Sequence, residues 1–428
     1  LTPSVLETTM QPIRIALAAA ALAALSTTAA QAQQGPIKVG LMLPATGTFA
    51  ALGDAIEKGF KLYVDEQGGK LAGRSIQYFK VDDESDPAKA TDNVNKLIKR
   101  DQVDVVVGTV HSGVALAMAR AAKENGAGEV ILVEPDLFYS AQDRGPRADL
   151  GRCAFARTEK DLKKFDGQPF TARLYAEMLR LAGVDRVFTV HNHSHSVQTT
   201  FTEVFAGKFH NLIPYDIYVD YLRNSDIISC GADGEGLALC APDKGAGDFV
   251  KEVCRRLGLP KVKFLLLDKE RSGERKVTIT VHPESECSLR DIAGHDVVLF
   301  DDMVRTGTTV VQACQALKEA KQRKTVFALT HFYASEEGRL KMASTAIDEI
   351  LTLNTIPTVL NRDIQGRLRK KMVVLKIERW LARNLCTTLG LTARTMDNSL
   401  YAIDMSSKNL RWKQKIWLSE QLKLLNQR

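Results

Sequence analysis

The sequence predicts an α/β protein built on doubly wound parallel sheets, and three observations predict it. Continuous apolar runs such as Val297–Phe300 alternate along the chain with segments of helical period. Runs without polar alternation suit strands covered by helices on both faces. Loops rich in Asp, His, Thr and Gly follow several of them, where open α/β sheets place ligands. A length of 428 residues allows two or three domains, and 45% hydrophobic with 25% charged residues rules out fibrous and disordered classes.

Residues 1–9 precede Met10 and read as a leader that is not translated. Met10, Arg14, the run IALAAAALAAL (15–25) and Ala30-Gln31-Ala32 have the three-part pattern of a secretory signal over 10–32, which would direct export to the periplasm if used. It is too short to span a bilayer, and no other stretch is apolar enough, so no stable membrane insertion is expected. From Ile37 the order is strand, helix, strand, helix, strand: IKVGLMLP, 53–67, SIQYFKVDD, 87–100 and DVVVGT. After Gly126 the chain changes character without a Pro/Ser/Gly-rich spacer. GEVILVEPDLFYSAQDRGPR then reads as strand and loop, 168–182 as a helix, and RVFTVHNHSH as a strand. KFLLLDKE, DVVLFDDM, TVFALTHF and EILTLNTIP follow as strands between helices. Residues 366–384 read as a basic strand and helix returning to the first of these domains. The tail over 393–428 reads as an amphipathic helix in which Trp412 and Trp417 make packing contacts.

Net charge is +7, yet no basic block is interleaved with aromatics, so no nucleic-acid partner is expected. All seven cysteines lie beyond residue 126, odd in number and without a C-x-x-C pair, which suits a reducing compartment. That places the later part in the cytoplasm, against the export signal at the start.

The most informative segment is DVVLFDDMVRTGTTVVQA (296–313). A buried strand would deliver Asp301 and Asp302 at its carboxyl end, and Thr306, Gly307, Thr308 and Thr309 would wrap into a helix N-terminus. Gly307 permits close backbone approach, and the exposed N–H groups with the Thr hydroxyls favour a phosphate monoester. Two carboxylates nearby suit ribose hydroxyls or a divalent cation. The bland alternative is an acidic helix cap. In HNHSH, His191, His193 and His195 alternate and on a strand would share one face, but no fourth ligand or acidic neighbour is visible for a dedicated metal site.

Residues 10–126 resemble the periplasmic binding proteins of branched-chain amino-acid transporters, through IKVGLMLPATGTFAALGDAIEKGFKLYVDEQGGKLAGRSIQYFKVDDESDPAKA and VVVGTVHSGVALAMARAAKENG. The resemblance implies part of one lobe over 33–126, with His111–Gly113 ahead of a helix that could take a carboxylate. The order of PDLFYSAQDR, RVFTVHNHSHSVQTTF, APDKGAG, LLLDKERSGERKV, GHDVVLFDDMVRTGTT, ALTHFYAS and DEILTLNTIP resembles the ribose-phosphate pyrophosphokinases over about 127–392. This implies type I phosphoribosyltransferase-like domains: a remnant of the first over 127–235, the second over 236–352, and a return to the first over 353–392.

In that family ATP gives its diphosphoryl group to ribose 5-phosphate with Mg2+. The resemblance implies that Gln142, Asp143, Arg144 and His193 meet ATP, and that His193 and Asp243 lie near the metal. It further implies that Lys269 and Arg271 act on the transferring phosphates, and that Asp301, Asp302, Thr306, Gly307, Thr308 and Thr309 hold ribose 5-phosphate. A family site completed by a neighbouring subunit implies a homo-oligomer. Ala141 stands where the family has Arg, Arg305 where an acid is usual, and His191 where it has Asp. The strands that open the family's first domain are replaced by the binding-protein segment. Two other readings stay open: an amino-acid binding protein carrying a passenger, and a joined chain without a function of its own.

Overall fold

In the computed structural model the described residues are 35–71, 73–143, 170–272, 276–391 and 399–404. The signal segment and the tail helix with its two Trp residues lie outside them. The chain divides into two compact units, up to Val130 and from Ile131 onward, four residues beyond the change of character at Gly126.

The first unit comprises β1 (Ile37–Leu43), α1 (Ala50–Glu66), β2 (Lys70–Leu71), β3 (Arg74–Asp82), α2 (Pro87–Asn95), β4 (Val105–Gly108) and α3 (Ser112–Glu124). Its sheet order is β2-β3-β1-β4, with β1 parallel to both β3 and β4. One face of β1 sends Met42 against Ala90, Val94, Leu97 and Val114; the other sends Val39, Leu41 and Leu43 against Phe60 and Tyr78. Asp86 starts α2 by accepting from the Ala88 N–H, with Pro87 in the first turn, where its missing N–H costs nothing.

The second unit opens with β5 (Ile131–Val133), α4 (Thr171–Leu181), β6 (Arg186–Val190), α5 (His195–Val204), β7 (Phe209–Leu212) and α6 (Tyr215–Asn224). Its larger part comprises β8 (Leu237–Ala241), α7 (Lys244–Leu257), β9 (Lys263–Ser272), β10 (Lys276–Val281), β11 (Asp296–Val304), α8 (Thr308–Glu319) and β12 (Lys324–Phe332). It ends with α9 (Glu336–Met342), β13 (Glu349–Leu353), β14 (Met372–Lys376), α10 (Glu378–Thr388) and β15 (Ala402–Ile403). Strands β5-β6-β7 form a three-stranded parallel sheet, and the rest form an eight-stranded sheet in the order β10-β9-β8-β11-β12-β13-β14-β15.

The apolar run of β11 explains its central place. Val298 and Phe300 enter a core with Tyr218, Phe249 and Trp380, while Val297 and Leu299 enter the opposite core with Cys314, Phe327 and Met342. Alternate side chains leave on opposite faces, so a strand apolar at every position needs a covered sheet. The same logic corrects the expectation for 366–384. MVVLK is apolar on both faces, and β14 pairs in parallel with β13 through Ile350↔Met372 and Leu353↔Leu375 rather than returning to the three-stranded sheet. That smaller layer is covered more thinly: Phe188, Phe201 and Phe209 are buried, but Ile131, Val133, Leu174 and Leu181 are exposed.

HNHSH also departs from expectation. The strand stops at Val190, His191 has φ 47, and Ser194 caps α5 by accepting from the Ser196 N–H, so the three histidines share no strand face. At the start of β11, Asp296 is 2% exposed and its two oxygens accept from the Ser229 N–H (2.6 Å) and from Arg323 Nε (2.8 Å). Asp296→Ala removes the shared acceptor of the Ser229 N–H and Arg323 Nε. A loss of about 2–4 kcal/mol is expected in urea unfolding, with the slope of the transition unchanged.

Candidate active site

Strand β11 outruns its neighbour β8. The last β8 pairing is Leu299↔Cys240, whereas pairing with β12 continues to Val304↔Phe332. Asp301 and Asp302 therefore remain within the strand rather than beyond it, on a stretch with one free side. Asp243, at the end of β8, caps α7 by accepting from the Gly245 N–H at 2.9 Å, and its charge acts on Asp301. From the smaller sheet, the loop after β6 brings His193, whose Nδ1 lies 2.5 Å from Asp302 Oδ2. Asp143 lies close enough to add its charge to that of Asp302 on the imidazole, and its carbonyl accepts from Ser196 Oγ at 2.9 Å.

The expected residues thus converge at the carboxyl ends of β6, β8 and β11. Gln142 sits in the turn beside Asp143, its N–H donating to the Tyr139 carbonyl at 2.8 Å. Arg144 lies outside the described residues. Positions 269 and 271 fall on β9, facing Ile279 and Val277 across the antiparallel β9–β10 pair, and their side chains lie outside the described set. Among the described residues, no group of three or more His, Cys, Asp or Glu side chains is arranged to hold a metal.

The adjacent carboxyls are driven apart electrostatically. For Asp301, burial and then the neighbouring Asp302 charge push the group well above the usual carboxylate range, with Asp243 adding to it. Asp302 is also penalised by burial, but the hydrogen bond and charge of His193 outweigh this and hold it well below that range. Burial likewise opposes protonation of His193, yet the hydrogen bond to Asp302 and its charge prevail and raise its pKa. Shifts of opposite sign on neighbouring carboxyls, with an imidazole beside the lowered one, are the pattern of two close acids that resist ionising together.

The Thr/Gly loop sits next to this pair. Gly307 has φ 70 and begins α8, and a Cβ there would lie 3.2 Å from Met342 Cγ. A Cβ on Gly338 of α9 would fall 2.6 Å from the Arg305 carbonyl oxygen, so only glycine lets α9 pack on the loop. Ser335 ties the same helix down, its N–H donating to the Arg305 carbonyl at 3.2 Å. Lys341, from that helix, donates to Thr308 Oγ1 at 3.1 Å. Gly338 and Lys341 were not singled out in the sequence, because nothing within SEEGRLKM signals contact with a loop so far back in the chain.

Around the site stands a buried polar layer. His331 Nε2 lies 3.0 Å from the Val190 carbonyl and 3.2 Å from that of His191, and His191 Nδ1 lies 2.6 Å from Thr330 Oγ1. Burial lowers the His191 pKa to about 4, and it stacks on Phe249 at 4.5 Å. On β5 and its loop, burial raises the Glu134 pKa to about 7 against hydrogen bonds from Tyr175 and the Phe138 N–H, while Asp136 accepts from the Tyr333 hydroxyl.

The paired shifts define a pH window. The raised His193 pKa contributes stability fully present below about 6.5 and lost as pH rises through its folded value. The lowered Asp302 pKa contributes stability present above about 3.9 and lost as pH falls through its folded value. His193→Gln is therefore expected to lose most stability near pH 5.5 and progressively less toward pH 9, approximate bounds set by these ranges. Urea unfolding of both proteins across that range checks it; a difference independent of pH would sink the ion-pair assignment.

Comparison with known proteins identifies the family. The model for the phosphoribosyl transferase domain matches residues 223–360, and that for periplasmic binding protein matches 36–148, running past the division between the two units. A ribose-phosphate pyrophosphokinase of Pyrococcus furiosus is 30% identical over 248 residues, 58% of this chain and 74% of the relative. One from Corynebacterium efficiens is 29% identical over 242 residues, 56% of this chain and 64% of its own length, so the chain spans less than two thirds of that relative. The phosphoribosylpyrophosphate synthetase structure from Mycobacterium smegmatis, at 19% identity and a TM-score of 0.50, covers 82% of this chain and 99% of its own and is alike in fold. With a Thr/Gly loop after paired aspartates and relatives of this identity and coverage, the chain belongs to the ribose-phosphate pyrophosphokinase family, behind a segment matching periplasmic binding proteins.

Proposed function

We propose that this chain transfers the diphosphoryl group of ATP to the 1-hydroxyl of ribose 5-phosphate, giving phosphoribosyl pyrophosphate and AMP. The observation that carries the reading is the convergence of His193 and Asp143 with Asp301, Asp302 and the Thr306–Thr309 loop. Oxygen 1 of the sugar attacks the β-phosphorus, and the bond from that phosphorus to the oxygen bridging to the α-phosphate breaks. The protein's task is positioning and neutralising charge.

In this reading Thr306–Thr309 hold the 5-phosphate through α8 N–H groups and hydroxyls, and Asp302, kept ionised by His193, accepts ribose hydroxyls. Gln142, Asp143, Arg144 and His193 take the ATP side, with Lys269 and Arg271 supplying cations to the transferring phosphates. Mg2+, when bound, offsets charge on the phosphate chain. Asp301 and Asp243 suit it, because Asp301 is neutral only through burial beside other acids, and Mg2+ takes few protein ligands when substrate phosphates supply the rest. His193, expected among the ligands, has its Nδ1 committed to Asp302.

Cys240, Cys254, Cys287, Cys314 and Cys386 are free thiols, which supports a cytoplasmic setting, where ATP is also available. A homo-oligomer remains part of the proposal. One observation weighs against amino-acid binding by the first unit: His111 Nδ1 accepts from the Gly113 and Val114 N–H groups at 3.1 and 3.3 Å, the donors an amino-acid carboxylate would use.

With ATP, Mg2+ and ribose 5-phosphate, AMP release is expected to fall about 100-fold or more in Asp302→Asn. Equal release by variant and parent would remove the catalytic assignment. Ala141 removes one cation that the family places on the ATP side, so Ala141→Arg is expected to lower the KM for ATP by about tenfold with little change for ribose 5-phosphate. Steady-state kinetics with each substrate varied in turn checks it.

A further inference from the structure

We propose that Lys341 is a phosphate-binding residue of the sugar site and sets its preference for a phosphorylated over an unphosphorylated pentose; this rests on the reading above. The inference starts from packing. A Cβ added at Gly338 would fall 2.6 Å from the Arg305 carbonyl oxygen, and one at Gly307 would sit 3.2 Å from Met342 Cγ. Helix α9 therefore lies against the loop at backbone distance. Its start is anchored by Ser335, whose hydroxyl accepts from the Gly338 N–H at 3.1 Å and whose N–H donates to the Arg305 carbonyl at 3.2 Å.

That packing delivers Lys341 to Thr308, with Nζ donating to Oγ1 at 3.1 Å. Thr308 is the first residue of α8, so its hydroxyl stands at the N-terminal end of that helix, where the helix dipole favours an anion. A phosphate oxygen taken up there would share the Thr308 hydroxyl with the ammonium. The present partner of Lys341 is Glu337, at 2.8 Å and 76% exposed. Exposed i,i+4 pairs contribute little, so exchanging that carboxylate for a dianionic phosphate costs little, while the new contact is charge-assisted. An ammonium carries three donors, enough for Thr308 and a phosphate oxygen together.

The test is calorimetric titration of the full chain with ribose 5-phosphate, and with ribose as the dephosphorylated control, for the parent, Lys341→Met, Lys341→Arg and Glu337→Gln. Lys341→Met is expected to bind ribose 5-phosphate about tenfold or more weakly, with ATP binding unchanged. Lys341→Arg should stay within about threefold, and Glu337→Gln, which frees the ammonium, should bind about two- to threefold more tightly. Far-ultraviolet circular dichroism confirms that each variant is folded. Binding of ribose 5-phosphate by Lys341→Met within about twofold of the parent overturns the role of Lys341 alone. A parent that binds no ribose 5-phosphate overturns the assignment of the sugar site, and this inference with it.

Discussion

The contact between His193 Nδ1 and Asp302 Oδ2 joins the loop after β6 to strand β11 across 109 residues of sequence, and the electrostatics of the site follow from it. A carboxylate buried at the end of a parallel strand would ordinarily take up a proton. The imidazole keeps Asp302 ionised, and the burden of burial passes to Asp301. The site therefore sets a carboxyl whose ionised form is favoured beside one whose ionised form is disfavoured.

That contact persists only because the end of β6 is fixed against the end of β12. His331, 2% exposed, bonds the carbonyls of Val190 and His191, and Thr330 meets both the His191 ring and the Tyr218 hydroxyl, the latter at 3.2 Å. Carbonyls released where a strand stops must find donors when buried, and here the donors come from the neighbouring sheet. A positive φ at His191 turns the chain at once, so His193, two residues on, reaches Asp302 instead of continuing along the strand. Local backbone geometry and a tertiary hydrogen-bond network specify the same direction.

What the sequence disclosed follows that division between local and tertiary causes. Val297–Phe300 is apolar at every position, and the requirement for cover on two faces marked it as part of an interior strand. Asp302 and Thr306–Thr309 were legible for the same reason: one strand, one turn and one helix start lie contiguous in the chain. The strand reading of HNHSH failed because alternating histidines mimic a strand period, although Ser194 ahead of an apolar helical pattern carried a cap signal. The placement of MVVLK failed because its pattern shows that it is interior but not to which sheet. Gly338 and Lys341 could not be read at all, since their reason lies in atoms of Arg305 and Thr308.

The two ends of the site differ in how well the chain supports them. Both large cores of the second unit are drawn from residue 190 onward, and they enclose β8, β11 and β12 on both faces, so the sugar-phosphate loop stands on completed packing. The proposed ATP side depends on the loop from Glu134 to Asp143, which follows a three-residue strand whose Ile131 and Val133 are exposed. Leu137, 2% exposed, is its one buried apolar side chain among the described residues, and the other anchors are polar contacts, Glu134 with the Tyr175 hydroxyl and Asp136 with that of Tyr333. Such contacts each contribute about 1 kcal/mol net, far less than the side-chain burial that fixes β11. In the proposed reading the ATP end is therefore the less firmly packed of the two, whereas the side chains packed around the proposed ribose-phosphate end come from residue 190 onward.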